Sequence, residues 1–369
     1  MPDQNCVPQS GGTIVGQPWA QKLLGFDRVW PITTGEGIRV AVIDTGIDRR
    51  QPQMAQIHVQ DGRDVSGTGT GPTDTTDCNG HGTGVAGIIA APHVNDTLFE
   101  GVAPGVTIIP VRQTGSDGKG TTQALAAGIT YAVDQHANVI NVSISAGKST
   151  ASLQAAVAYA ARHNVVIVAA AGNDGDSTEV SKISYPAAYA STYPNVIGVA
   201  AIDEKGQIAS FSDTGNYVCV AAPGSNIVIP SRQSGYTTDS GTSFATPFVT
   251  GTVALMMRAF PALTPLQLRN RLEATADPPP VTVPSNRYGY GIVDPYLALT
   301  SVRDDSAPPP SAAAVAPLPA PVRPQPPDRH LQHVALGAGL GLVGLAVLAG
   351  LAVVAFRRPG ARRPDAVRT

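Results

Sequence analysis

The chain has 369 residues, of which 43% are hydrophobic and 14% charged, so it is too apolar to be disordered throughout. Its length fits one large domain with appendages or two domains. The 25 basic and 27 acidic side chains nearly cancel, which removes any overall basic excess for binding nucleic acid. Three cysteines exclude both a disulfide-dense miniature scaffold and a four-cysteine zinc site.

The first 300 residues predict an α/β fold with a mostly parallel sheet flanked by helices. Runs rich in Val and Ile, without polar alternation, predict strands buried on both faces. These runs are residues 38–44, 106–111, 139–145, 165–172 and 196–201. Helical patterns alternate with them, at residues 121–137, 149–163 and 243–260. Such a sheet places its functional site at the carboxyl ends of the strands.

The composition changes near residue 303. Residues 303–329 contain nine prolines in 27 positions, which favours an extended spacer. Residues 334–356 follow with 23 uncharged positions, enough for a helix of about 35 Å that crosses a hydrocarbon core of about 30 Å. The alternative is a buried core helix, but this run is isolated behind the spacer. Residues 357–369 hold five Arg and one Asp, which predicts a cytoplasmic tail and an extracytoplasmic amino-terminal part.

Two short motifs place a reactive side chain beside glycines. VIDTG puts Asp44 at the end of a predicted buried strand, where an Asp otherwise forms a turn or caps a helix. NGHGTGVAG puts His81 at the start of a helical pattern, between glycines that let another group approach the imidazole. A zinc site built from Cys78 and His81 is rejected, because no second ligand pair of similar spacing follows.

Two further motifs supply a serine and an asparagine. SGTSFATP puts Ser243 at the head of a predicted helix, a position where serine is otherwise an N-cap. AAAGNDG presents the amide of Asn173 after a predicted strand, and beside a nucleophilic serine such an amide can donate to an oxyanion. The order Asp, His, Ser is that of the subtilisin version of the catalytic triad, whereas the α/β-hydrolase order begins with serine.

These four motifs resemble the Asp, His, Asn and Ser blocks of the subtilisin-like serine proteases, in the family's order, over about residues 20–300. The wider arrangement is similar to that of the mycosins, the membrane-anchored subtilases associated with type VII secretion systems. It combines an amino-terminal extension with a cysteine, a second cysteine in DCNGHGT, VRQT after the second strand, a proline-rich spacer, a final membrane helix and an Arg-rich tail. The resemblance implies an extension over residues 1–30, wrapped on a peptidase domain over residues 31–302.

The resemblance also implies a role for each site residue. Ser243 would be the nucleophile, His81 its base and Asp44 the residue that orients the imidazole. Asn173 and the backbone N–H of Ser243 would form the oxyanion hole. A substrate strand would lie between the segment around Gly118 and the segment Ser143, Ile144, Ser145, Ala146 and Gly147.

The remaining expectations concern cysteines and metals. A disulfide between Cys6 and Cys78 would tie the extension to the loop before His81, and Cys219 would be a buried free thiol. No cofactor or metal is predicted. Four aspartates, at positions 61, 64, 74 and 77, indicate a solvated acidic loop, because they lack EF-hand spacing. A structural calcium ion in an irregular loop is left open.

Two functions are consistent with these features. The first is a serine endopeptidase, held in the cell membrane by one span, that cleaves secreted or secretion-machinery proteins outside the cytoplasm. The second is a structural subunit that stabilises a membrane secretion complex, with peptidase activity secondary. The intact set of Asp44, His81, Asn173 and Ser243 favours activity, because a purely structural protein has no chemical need for all four. A soluble degradative protease would require that residues 334–356 are not a membrane helix.

Overall fold

The Val- and Ile-rich runs form the strands of one parallel sheet. The computed structural model describes residue 6 and residues 9–115, 117–175, 183–311 and 329–356, with side chains in the last range given for residues 340–353. The strands of the sheet are β1 Arg39–Asp44, β2 His58–Val59, β3 Arg63–Asp64, β4 Thr107–Arg112, β5 Val139–Val142, β6 Val166–Ala170, β7 Val196–Ile202 and β8 Val218–Pro223. A separate antiparallel pair consists of β9 Ile227–Pro230 and β10 Tyr236–Asp239.

The sheet has the order β2-β4-β1-β5-β6-β7-β8, and β3 also pairs with β4. All neighbouring strands are parallel. Every residue of β5, β6, β7 and β8 is buried, which accounts for the absence of polar alternation in these runs. The predicted α/β fold with a mostly parallel sheet is therefore confirmed. Because β1, β5 and β6 are neighbours, the residues at their carboxyl ends lie side by side.

Helices connect the strands. They are α1 Trp19–Leu24, α2 His81–Ala90, α3 Thr122–Asp134, α4 Ala151–Arg162, α5 Thr242–Ala259, α6 Pro265–Ala274, α7 Pro295–Thr300 and α8 Arg329–Phe356. The three predicted helices correspond to α3, α4 and α5. Thr121 and Thr150 cap α3 and α4, because each hydroxyl accepts a backbone N–H three residues later.

Helix α5 crosses the interior of the domain. All its residues from Thr242 to Met256 are buried, although several are threonines. The hydroxyls of Thr246 and Thr252 donate to carbonyl oxygens one turn earlier, and the hydroxyl of Thr250 donates to Asn141 of β5, which satisfies them inside the core. The helix can therefore contain four threonines and still occupy the centre of the fold.

The amino-terminal extension lies on the β9–β10 pair. Gly11 and Gly12 donate their backbone N–H groups to the carbonyl oxygens of Ser234 (2.7 Å) and Tyr236 (2.9 Å). A disulfide joins Cys6 to Cys78, as predicted, and closes a loop with a sequence separation of 72. Cys219 is a buried free thiol, also as predicted.

The segment after α7 is fastened to α6 by one arginine. The guanidinium of Arg271 is 2.9 Å from the carboxylate of Asp305 and donates to the carbonyl oxygens of Ala298 and Ser301, each at 2.6 Å. Arg303 adds a hydrogen bond of 2.8 Å to the carbonyl oxygen of Asn270. The packed structure thus continues past residue 302, where the composition placed the end of the domain.

The chain divides into two compact units, Met1–Ala316 and Pro317–Thr369. The predicted apolar segment 334–356 lies within the helix α8. Judged on the residues that the structure describes, no helix combines the length and the apolar character needed to cross a membrane. The membrane span therefore stays a prediction, and the predicted tail 357–369 lies outside the described residues.

Candidate active site

Three of the predicted residues come together at the carboxyl edge of the sheet. Asp44 is the last residue of β1, Ser143 follows β5 and Asn173 follows β6. Two helices begin at the same edge, α2 at His81 and α5 immediately before Ser243. The fold therefore places two helix N-termini over the ends of three neighbouring strands, where oriented N–H groups favour negative charge.

Asp44 and His81 form a hydrogen-bonded pair. Asp44 Oδ1 lies 2.7 Å from His81 Nδ1 and also accepts the N–H of Thr45 at 2.7 Å. Asp44 is fully buried, and its Oδ2 has no hydrogen-bond partner among the residues described. Burial lowers the pKa of His81, but the charge and hydrogen bond of Asp44, together with the charges of Asp77 and Asp239, outweigh this effect, so the pKa is raised above its ordinary value. The imidazole is thus oriented and made more basic by a buried carboxylate.

A glycine allows α2 to approach β1 this closely. A Cβ atom on Gly82 would lie 2.2 Å from the carbonyl oxygen of Gly46 and 3.1 Å from the Cβ of Asp44. Any larger residue would push the start of α2 away from the end of β1. The glycine after His81 in the motif is therefore required by packing between the two catalytic candidates.

The interpretation of Asp77 as part of a solvated loop is wrong. Asp77 is fully buried, and its Oδ1 accepts hydrogen bonds from the hydroxyl of Thr45 and the N–H of Gly80. Its Oδ2 accepts the N–H and hydroxyl of Thr83. The carboxylate therefore links the loop after Asp44 to the first turn of the helix that carries His81. A run of aspartates in a polar segment gave no sign that this one points inward.

Two other aspartates of this loop are held by hydrogen bonds within it. Asp64 accepts the N–H groups of Ser66 (2.7 Å) and Gly69 (2.8 Å). Burial opposes ionisation of Asp74, yet hydrogen bonds from Thr70 and Thr76 lower its pKa to about 2. The described part of the chain holds no cluster of three or more His, Cys, Asp or Glu residues suited to a metal ion.

The backbone carbonyl group of Ser243 is held by a residue at the end of β5. The hydroxyl of Ser143 donates to the carbonyl oxygen of Ser243 at 2.7 Å, and accepts from the amide of Asn141 at 2.9 Å. Asn141 in turn accepts the hydroxyl of Thr250 at 2.8 Å. This buried polar chain ties the start of α5 to the end of β5, so Ser143 contributes its side chain to the support of Ser243.

Thr242 fixes the orientation of the Asn173 amide. Both the N–H and the hydroxyl of Thr242 donate to Asn173 Oδ1, each at 2.8 Å. The amide oxygen is thereby occupied, so the Nδ2 donor faces the other way. Sequence reasoning did not identify Thr242, although its place beside Ser243 in the motif was the available signal.

Three polar groups converge on a space beside Gly241. A Cβ atom at this residue would lie 2.8 Å from Ser243 Oγ, 3.3 Å from Asn173 Nδ2 and 3.7 Å from the backbone nitrogen of Ser243. A nucleophile and two N–H donors therefore lie on the side of Gly241 where any other residue would carry its side chain. This arrangement matches what attack on a carbonyl group requires.

The aromatic residue that follows Ser243 in the sequence packs against His81. Among the hydrogen bonds of the described residues, one joins Asp44 to His81 and none joins His81 to Ser243. The ring of Phe244, the next residue after Ser243, packs against the imidazole with ring centroids 4.9 Å apart. Hydrogen bonds of a catalytic site commonly tighten only when substrate binds. Phe244 was not identified from the sequence, because an apolar residue at a helix start is typical of a core position.

The two predicted substrate segments differ in their exposure and in their contacts. Ser145 and Gly147 are exposed, and Ile144 is partly exposed. Ala146 already exchanges two backbone hydrogen bonds with Tyr185, so these groups are not available to a substrate strand. On the other segment, a Cβ at Gly118 would lie 3.6 Å from the side-chain nitrogen of Asn79. The binding role of both segments stays a prediction.

The chain matches a known protein family over the residues that form this site. The model of the subtilase family matches residues 35–291. A thermophilic serine proteinase of Bacillus sp. (strain AK1) is 39% identical over 277 residues, which cover 74% of this chain and 65% of the relative. Mycosin-4 of Mycobacterium tuberculosis (strain ATCC 25618 / H37Rv) is 37% identical over 399 residues, which cover 95% of this chain and 85% of the relative.

A solved structure shares the fold. The crystal structure of MycP1 from the ESX-1 type VII secretion system superposes with a TM-score of 0.69 at 31% sequence identity. The match covers 84% of this chain and 91% of MycP1. The similarity therefore extends beyond the family motifs to most of the folded chain.

Proposed function

The chain belongs to the subtilase family and is a serine endopeptidase; we propose that it acts from the outer side of a membrane on extracytoplasmic proteins, as a component of a type VII secretion system. The observation that carries the catalytic part is the convergence of Ser243 Oγ, Asn173 Nδ2 and the Ser243 N–H on the space beside Gly241. Similarity to MycP1 and to Mycosin-4 supports the secretion role.

In the proposed reaction, the scissile carbonyl oxygen lies beside Gly241. Ser243 Oγ attacks the carbonyl carbon while its proton passes to His81, which later gives a proton to the leaving amine. Asp44 stabilises the imidazolium that forms in between, because it is buried and hydrogen-bonded to His81 Nδ1. Water then releases the acyl group from Ser243. Removal of one oxyanion donor typically costs a factor of about 10² to 10³ in turnover.

The membrane part of the proposal depends on the carboxyl-terminal segment. Residues 334–356 carry no charged side chain, and the following 13 residues hold five Arg. The large apolar side chains of α8 that the structure describes are exposed: Leu340, Leu342, Val343, Leu345, Val347, Leu348, Leu351 and Val353. Exposed apolar residues on all sides of a helix are suited to lipid rather than to water. The Arg-rich tail would then lie at the anionic inner surface.

Labelling with a fluorophosphonate probe tests the enzymatic part. We expect Ser243 of the wild type to be labelled covalently, Ser243→Ala not at all, and Asn173→Ala more slowly. Labelling of Ser243→Ala to the wild-type extent would contradict the assignment. If Ser243 does not react and Ser243→Ala supports secretion in cells, the structural-subunit function is favoured. Recovery of the full-length chain in the aqueous phase after membranes are washed would contradict the anchor.

A further inference from the structure

A carboxylate from the connection between β7 and β8 holds the backbone of the loop that carries Asn173. Asp213 Oδ1 accepts the backbone N–H groups of Asp174 and Gly175, both at 2.8 Å. The backbone N–H of Asp213 donates to the carbonyl oxygen of Gly172 at 2.9 Å. One residue therefore fastens the chain immediately before and immediately after Asn173.

The fit between this carboxylate and the loop is close. Gly172 has a φ of +117°, and a Cβ atom there would lie 2.0 Å from Asp213 Oδ2. Any side chain at position 172 would therefore displace either the loop or the carboxylate. The positive φ turns the chain after β6, and the carboxylate occupies the space on the inner side of the turn.

Asp213 is itself rigidly placed. It is only 4% exposed, and the preceding residue, Ser212, accepts the backbone N–H of Ala201 in β7 through its hydroxyl at 3.1 Å. The clamp on the Asn173 loop is thus anchored to a buried strand. A carboxylate buried in this way is costly unless hydrogen bonds compensate it. The N–H groups of the loop provide such bonds to Oδ1, whereas the buried Oδ2 has no hydrogen-bond partner among the described residues.

We propose that Asp213 is the positioning residue of the oxyanion hole. It holds the backbone on both sides of Asn173 so that the amide, turned by Thr242, faces the space beside Gly241. Asp213 does not touch that space, and it acts on the reaction only through Asn173. This inference rests on the proposed function of Asn173 and Ser243.

A double-mutant cycle tests the proposal. The four proteins are the wild type, Asp213→Ala, Asn173→Ala and the double variant, each assayed for kcat and KM on a peptide substrate. We expect Asp213→Ala to lower kcat by about tenfold to 10²-fold with KM changed less than about threefold. In the Asn173→Ala background the same change should lower kcat by less than about twofold, because the group it positions is already absent.

Conservative and control variants separate positioning from general stability. Asp213→Asn keeps an oxygen that can accept both N–H groups, so we expect it to retain most of the activity. Asp203→Ala is the matched control, because Asp203 lies in the same connection and accepts two backbone N–H groups of its own turn, from Lys205 and Gln207, at 2.9 Å. If Asp213→Ala does not fold, Asp213→Ser is used, since its shorter side chain does not span both amides.

The outcomes are distinct for the two proposals. An equal loss of kcat from Asp213→Ala in both backgrounds, or no loss in the folded single variant, overturns the positioning role. An inactive wild type, or an Asn173→Ala variant as active as the wild type, overturns the proposed function instead. A loss confined to the background that contains Asn173 supports the inference.

Discussion

Ser143 Oγ donates a 2.7 Å hydrogen bond to the backbone carbonyl oxygen of Ser243, across the boundary between β5 and α5. In a regular helix this oxygen would accept the N–H of the residue four positions later, but that residue is Pro247, which has none. The proline thus frees the carbonyl oxygen of the proposed nucleophile for a bond from the sheet. The start of α5 is fixed to the strand end rather than only to its own helix.

Loss of this bond should affect both stability and turnover. Ser143→Ala leaves a buried carbonyl oxygen without its partner, so we expect the free energy of unfolding to fall by about 1–3 kcal/mol. Displacement of Ser243 should lower kcat by about tenfold or more. Urea unfolding and peptide hydrolysis measure the two effects. Ser145→Ala, at an exposed neighbouring position, tests whether any truncation in this segment has the same result.

The space beside Gly241 provides a second prediction. Gly241→Ala would place a methyl group within 2.8 Å of Ser243 Oγ and 3.3 Å of Asn173 Nδ2. We expect kcat/KM to fall by about 10²- to 10³-fold, as for loss of an oxyanion donor. Gly71→Ala is the control, because an added Cβ there meets nothing within 4 Å. Activity of Gly241→Ala within twofold of the wild type would remove this space from the mechanism.

The pair formed by Asp44 and His81 predicts a pH dependence. His81 must be neutral to accept a proton. Its pKa is raised because Asp44, with smaller contributions from Asp77 and Asp239, outweighs the effect of burial. Activity of the wild type should therefore fall as the pH drops through this raised pKa. In Asp44→Asn the charge is lost while burial remains, so the acid limb of kcat/KM should move to lower pH and kcat should fall about 10⁴-fold. An acid limb of kcat/KM at the same pH in Asp44→Asn as in the wild type would contradict this account.

The lowered pKa of Asp74 predicts that the stability of the fold depends on pH. The pKa of Asp74 is lowered from 3.8 to about 2 by hydrogen bonds from Thr70 and Thr76, so its contribution is present above 3.8 and is lost as the pH falls towards 2. This contribution is about 2 kcal/mol. Asp74→Asn should remove that part of the acid sensitivity in unfolding measured between pH 5 and pH 2. Asp61→Asn, at an exposed position of the same segment, is the control, and an equal change in both variants would contradict the assignment to Asp74.

The three cysteines should be protected in the native protein for two different reasons. Cys6 and Cys78 are joined, and burial raises the pKa of Cys219 to about 12, so no thiol should react with iodoacetamide in the native protein. Mass spectrometry should show one added group after unfolding without reductant, and three after reduction. Labelling of Cys6 in the native, unreduced protein would contradict the disulfide. The cross-link should stabilise the fold by about 4 kcal/mol in the chain-entropy account.

Several parts of the site were predictable because local sequence demands them. Asp44 ends a strand that is rich in Val and Ile, a composition that predicts burial. Parallel sheets place functional groups at such strand ends. His81 and Ser243 stand at helix starts marked by glycines and small residues. Family motifs then assigned roles that periodicity alone does not distinguish from turns and caps.

Other features depend on contacts between distant segments. Asp77 looked like one aspartate among several in a polar loop, and only the approach of α2 to the end of β1 buries it. Asp213 lies 40 residues after Asn173 in the sequence, and the sheet brings their connections together. No local pattern reports such a contact, because the same aspartate in a loop satisfies its hydrogen bonds equally well with water.

The amino-acid sequence by itself determined the α/β class and the uncharged segment near the carboxyl terminus, which follow from residue type and hydropathy as local properties. It also marked Asp44, His81, Asn173 and Ser243 as candidates, through motifs whose roles the family resemblance implies. The tertiary structure alone decided that Ser143 supports the carbonyl oxygen of Ser243 and that Ser243 Oγ and Asn173 Nδ2 lie on the same side of Gly241. Both depend on atoms of different strands and helices that lie within hydrogen-bond distance, a relationship that arises only when the sheet and the central helix pack together.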